Sequence, residues 1–94
     1  MSTNQSAQWL VIYDIVEDHC RGQVFKYLKR QGVPVQYSVF AIETSNAKMG
    51  AMMAHVATLI DHRADDVRAY RLPENGWRAT LGDAMLPDDI WLKD

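Results

Sequence analysis

From Trp9 to Ile15 the chain is rich in β-branched and aromatic residues, and both alternating sets are apolar, with Trp9, Val11 and Tyr13 on one side and Leu10 and Ile12 on the other. This pattern predicts a strand that needs cover on both faces. The strand runs out at a carboxylate, Asp14. After it the periodicity changes. Glu17 and Asp18 supply negative charge for a first helical turn, with Asp18 as a candidate N-cap, and Gly32 followed by Pro34 stops the segment. A helix over about His19 to Gln31 is predicted, with Val24, Phe25 and Leu28 as its buried stripe and Lys26, Lys29 and Arg30 on the opposite face. Arg21 projects near the apolar stripe, toward the end of the sheet where Asp14 emerges.

Val35 to Ile42 reads as extended, as two short strands separated by a kink or bulge around Gln36 to Ser38. A second helix follows, capped by Ser45 or Asn46 and running to about Ile60. Met49, Met52, Met53, Val56, Leu59 and Ile60 hold its i, i+3, i+4, i+7 spacing and mark it as core. Asp61 to Asp66 is a polar turn, Val67 to Leu72 a strand, Pro73-Glu74-Asn75-Gly76 a turn, and Trp77 to Asp94 a stretch with short extended pieces.

The order strand, helix, strand, strand, helix, strand matches an α+β, ferredoxin-like βαββαβ sandwich with both helices on one face of an antiparallel sheet. One domain over residues 1–94 is expected, with a core at 9–72 and an extension at 73–94. The helices cover one sheet face only. A homodimer packed through the sheets would bury the other. The extension, with Trp77, Leu86, Ile90, Trp91 and Leu92, supplies an additional C-terminal strand for a neighbour's sheet edge or the chain's own.

Composition adds limits rather than detail. The chain has 94 residues, 48% hydrophobic and 23% charged, which suits a folded domain and excludes disorder. Its net charge of −2 argues against coating nucleic acid by bulk attraction, so any nucleic-acid site must be a local patch. A polar start and the absence of a span-length apolar stretch point to a cytoplasmic protein without a membrane partner. Cys20 is the only cysteine and has no internal disulfide partner.

Several of these segments together resemble a known family. They are Tyr13-Asp14 at the end of the first strand, Arg21 on the following helix, the run from Gly32 through Val35-Gln36-Tyr37-Ser38-Val39-Phe40, and the late strand Asp66-Val67-Arg68-Ala69-Tyr70-Arg71-Leu72. The chain is similar there to the small CRISPR-associated adaptation protein, Cas-two, described as a metal-dependent endonuclease. The tail Gly82 to Leu92, ending Asp88-Asp89-Ile90-Trp91-Leu92, is similar to that family's C-terminal strand. The resemblance implies a ferredoxin-like homodimer whose paired strand-end aspartates hold magnesium or another divalent ion. It also implies partnership with the larger CRISPR integrase subunit in spacer acquisition, and action on RNA or duplex DNA either as a nuclease or as a non-catalytic adaptor. Carried over by position, Asp14 is the metal ligand, Arg21 the helix arginine, and Tyr13, Ser38 and Phe40 belong to the family motifs. Three departures stand out: Gln23 and Pro34 occupy positions where the family often has basic residues, and Ala41 stands where an acidic residue usually follows Phe40.

The residue types support this chemistry. Magnesium takes oxygen ligands and is usually held by one or two carboxylates with water and substrate phosphate, so two copies of Asp14 across a two-fold axis would make a site that one copy does not. Arg21 has two readings, stabilising a phosphate or pairing with Asp14, Glu17 or Asp18. Lys26, Lys29 and Arg30 form either a solvated helix face or a phosphate patch. Arg68 and Arg71, with Arg63 nearby, form a second candidate group for tracking a nucleic-acid backbone. Tyr13 and Phe40 suit core or interface packing better than stacking on a base. His19, His55 and His62 lack metal-ligand spacing, and no nucleophilic triad or glycine-rich phosphate loop is present.

Overall fold

A computed structural model describes residues 5–73. Its elements are β1 (Ser6–Asp14), α1 (Asp18–Gln31), β2 (Val33–Gln36), β3 (Val39–Ser45), α2 (Asn46–Ala57) and β4 (Asp66–Arg71). The strands form one sheet in the order β2-β3-β1-β4, antiparallel throughout. This is the expected βαββαβ order. The extension beyond Pro73, with the expected additional strand and the Glu74 to Gly76 turn, lies outside the described residues.

β1 and β3 are the interior strands, and they are the two with the most continuous apolar sequence. Each must be buried on both sides. The alternation holds: Val11, Tyr13, Phe40 and Ile42 pack with Val24 and Leu28 of α1 and with Met49, Met52 and Val56 of α2, while Leu10, Val39 and Leu72 form a separate cluster. Burial within the chain already accounts for Leu10 and Val39. The case for a sheet-packed dimer therefore rests on the half-buried Ile12, Val35 and Ala41 that flank that cluster.

Element ends show where local chemistry overrode the pattern. Glu17, not Asp18, caps α1, its carboxylate accepting the Cys20 N–H at 2.9 Å. The longer side chain reaches the orphan donor from one residue further out. At the other end the Gly32 N–H closes on the Leu28 carbonyl at 3.0 Å. Ser45 caps α2 by accepting the Lys48 N–H at 3.1 Å. That helix ends at Ala57, with Thr58 capping, rather than near Ile60, and Leu59 and Ile60 reach the core from the turn beyond it. The kink foreseen around Gln36 to Ser38 is a turn at Tyr37-Ser38 joining β2 to β3, and the register between them shifts between Pro34 and Gln36. Pro34 is tolerated because β2 is an edge strand.

Candidate functional site

The C-terminal end of β1 is where the sequence concentrates its chemistry, and strand geometry splits it in two. Successive side chains point to opposite faces. Tyr13 therefore turns toward the helices, where its ring stacks on Phe40 with centroids 6.3 Å apart, and Asp14 turns to the other face. The exposed Asp14 lies directly across the β1–β4 ladder from Asp66, also exposed. Two like charges at opposed positions cost the ladder stability unless something compensates them. Asp66 has compensation, since its Oδ2 accepts the Arg68 Nε–H at 2.8 Å. Among the described residues nothing forms a hydrogen bond or ion pair with the Asp14 carboxylate. No group of three or more His, Cys, Asp or Glu side chains assembles into a metal-holding cluster among those residues either.

The loop after Asp14 is pinned from both sides. Arg21 donates from Nη1 to the carbonyls of Ile15 at 2.8 Å and Val16 at 3.5 Å, and its Nη2 pairs with Asp18. Of its two readings, the ion pair is the one seen. Asp65 accepts the Val16 N–H at 2.9 Å and the Asp61 N–H at 2.8 Å, and these bonds hold its carboxyl below its ordinary pKa. Glu17 is lowered too, first by the hydrogen bond from the Cys20 side chain and then by the Cys20 backbone N–H, with smaller help from His19. The Glu17 hydrogen bond in turn pushes the Cys20 thiol up, away from nucleophilic reactivity.

A second constellation lies on the helix side of the sheet. Tyr13, Arg21, Phe25, Lys26, Lys29 and Tyr37 line an open cleft of about 550 Å³ between α1 and the Tyr37-Ser38 turn. The turn is held against β1 by the Tyr13 N–H, which donates to the Ser38 carbonyl at 3.0 Å, with Ser38 itself in the left-handed region at φ 65°. Burial raises the Tyr13 hydroxyl above its ordinary pKa, the nearby Tyr37 adds to this, and Arg21 opposes it. Phe40 is fully buried beneath the cleft and contacts Phe25 edge-on at 5.4 Å.

The remaining candidates disperse. Arg30 is exposed on α1 and does not line the cleft that Lys26 and Lys29 share. Arg68 and Arg71 do not form one patch, because a spacing of three along a strand sends them to opposite faces. Arg68 joins Asp66 beside Asp14, whereas Arg71 sits opposite Trp9 at the far end of the ladder. Arg63 pairs with Asp61. The pattern-based reading missed Phe25 and Tyr37. Phe25 belongs to the predicted buried stripe yet is 38% exposed, and Tyr37 is 80% exposed. The spacing of Arg21, Phe25 and Lys29 at intervals of four was the available signal, since it sets them in one row on a helix.

The strand-end aspartate and the Gln36 to Phe40 run both lie within a stretch that matches a known family. The family described as CRISPR associated protein Cas2 matches this chain over residues 7–80. The chain belongs to that family. A Cas2 relative from Nitrosomonas europaea, named a CRISPR-associated endoribonuclease, is 33% identical over 84 residues, covering 89% of this chain and 80% of the relative. Another of the same name from Thermodesulfovibrio yellowstonii is 37% identical over 83 residues, covering 87% of this chain and 91% of the relative. The crystal structure of Streptococcus pyogenes Cas2 superposes with a TM-score of 0.64 at 27% identity, covering 78% of this chain and 93% of that one. The Cas2 fold and the α+β architecture read from the sequence thus agree. No helix among the described residues is long and apolar enough to cross a membrane.

Proposed function

We propose that this Cas2-family chain is a metal-dependent endonuclease that hydrolyses phosphodiester bonds in nucleic acid, and that it partners the larger CRISPR integrase subunit in spacer acquisition. The observation that carries the reading is Asp14: an exposed carboxylate at the end of an interior strand, without a side-chain partner among the described residues, opposite a second carboxylate that has one. An acid in that state is open to a cation. The donor set suits magnesium, which accepts one or two carboxylates and completes its shell with water and phosphate, and a homodimer would bring a second Asp14. The relatives' name supports cleavage of RNA, and duplex DNA is the other candidate substrate.

In this reading magnesium supplies a polarised phosphoryl oxygen and a more acidic water. The protein's own residues position it. Asp14 would hold the ion, and Arg21, through the Ile15 and Val16 carbonyls, fixes the loop that leaves Asp14 and so sets the direction of that carboxylate. Arg21 is a positioning residue on this account. The experiment is cleavage of end-labelled RNA and duplex DNA in magnesium or chelator. Asp14→Asn is expected to lower cleavage at least ~100-fold with the melting temperature kept, and a variant that cuts as well as the parent removes the assignment.

A second reading has its own support. Gln23 and Pro34 replace basic residues expected beside the phosphate, and Arg21 is engaged within the chain. A non-catalytic dimeric adaptor that binds duplex DNA and bridges integrase subunits needs neither. Absence of cleavage by the parent, together with co-purification with the integrase subunit, would select it.

A further inference from the structure

We propose that the cleft between α1 and the Tyr37-Ser38 turn is a binding site for unpaired nucleic acid, with Phe25 and Tyr37 stacking on bases and Lys26 and Lys29 taking the phosphates. The proposal deepens the nucleic-acid reading above and rests on it, but assigns a site on the opposite face of the sheet from Asp14. Four observations meet there.

The first is aromatic exposure. Tyr37 is 80% exposed and Phe25 38%, and both line the same cleft, which has about 550 Å³ of space. That volume lies within the range of about 300–1,000 Å³ usual for ligand clefts. The second is support. Phe25 rests edge-on against buried Phe40 at 5.4 Å, and the turn that carries Tyr37 is tethered by the 3.0 Å bond from the Tyr13 N–H to the Ser38 carbonyl. A supported ring and a tethered turn lose less freedom than unsupported ones when a base lies on them.

The third observation is charge. The chain as a whole is acidic, with net charge −2, yet the cleft is lined by Arg21, Lys26 and Lys29 with Asp18 as the lone acid, and Arg21 engages Asp18. Neither lysine has an ion-pair partner among the described residues, so both remain available to an anion. The fourth is their arrangement, cation beside ring. The Lys29 Nζ lies 5.9 Å from the centroid of the Phe25 ring. A ligand that fits must carry flat apolar faces and negative charge in alternation. An unpaired nucleic-acid strand does, whereas a duplex hides its base faces and offers phosphate alone.

The test is fluorescence anisotropy on the full chain in chelator, so that nothing is cut, with labelled oligonucleotides of about twelve nucleotides, within the usual site sizes of single-strand binders. The probes are single-stranded RNA, single-stranded DNA of the same sequence, and the corresponding DNA duplex. Tyr37→Ala is expected to weaken binding of both single strands about five- to a hundredfold, as loss of a stacking platform does, and to leave duplex binding within about twofold. Tyr37→Phe restores single-strand binding. Phe25→Leu, which keeps apolar packing on Phe40, reproduces the single-strand loss. Lys26→Gln combined with Lys29→Gln lowers the slope of log affinity against log salt for single strands by about 1.4, the release expected for two phosphates. The proposal is overturned if Tyr37→Ala and Phe25→Leu bind single strands like the parent, or if both lose duplex and single-strand binding equally. Failure here is separable from failure of the nuclease reading: Asp14→Asn keeps the anisotropy signal, and unchanged binding by the Tyr37 and Phe25 variants alongside Asp14-dependent cleavage rejects the cleft alone.

Discussion

Phe40 is where the packing of this chain converges. It is fully buried, stacked on Tyr13, and met edge-on by Phe25. Removing the ring leaves a cavity that the interior strand cannot close, so Phe40→Ala is expected to cost about 3–5 kcal/mol in urea unfolding, with the largest loss of protection at β1 and α1. Titration tells on other residues. Glu17 and Asp65 both have lowered pKa values, Glu17 because its carboxylate accepts from the Cys20 thiol and then the Cys20 backbone N–H, Asp65 because it accepts the Val16 and Asp61 backbone N–H groups. A depressed folded value means stability that is present above the unfolded value and is lost as pH falls through the folded one. Melting temperatures should therefore decline below about pH 4, and Glu17→Gln or Asp65→Asn should flatten that decline while leaving neutral-pH folding intact. Asp14 was legible in the sequence because a charge closing an apolar strand has few places to go. The Asp14–Asp66 opposition was not, since it depends on a ladder register that no local pattern states.

Among the elements, α2 and the interior strands were readable from spacing alone because burial on a helix stripe or on both strand faces leaves a strong apolar signature. The ends were harder. A Glu whose side chain reaches the Cys20 N–H looks, in sequence, like any first-turn acid, and the basic residues of β4 look like a cluster until the pleat separates them. Gly32 marks a close approach between elements. Its φ of −162° is extended and open to any residue, but a Cβ there would collide with the Ala41 carbonyl oxygen and come within 2.6 Å of Ile42 Cγ1. Since the first obstacle is backbone, the β2–β3 pairing must give. Gly32→Ala is expected to destabilise by about 1–3 kcal/mol, read as a lower urea midpoint with an unchanged m-value.

For the whole molecule, the proposed dimer is argued from what one chain leaves half-covered. Ile12, Val35 and Ala41 surround the buried Leu10 and Val39 on the face away from the helices, and Ile12 lies two residues from Asp14 on that same face. A partner seated there would bring the two aspartates toward one axis. Ile12→Asp is accordingly expected to shift the chain from dimer to monomer in light scattering and to lose magnesium-dependent cleavage with it, while the helix-side cleft keeps its single-strand binding. Position in the sheet has one more result. β1 is first in sequence, yet its neighbours are β3 and β4, and its registers run from Ser6 to Ser45 and from Trp9 to Arg71. During synthesis the earliest described strand, apolar on both sides, waits for β3 to gain one neighbour and for β4 to gain the other. The nascent chain thus carries its stickiest segment unpaired until β3 is made, and with one edge open until β4 follows, which makes β1 the natural point of capture for a chaperone and of misassembly without one.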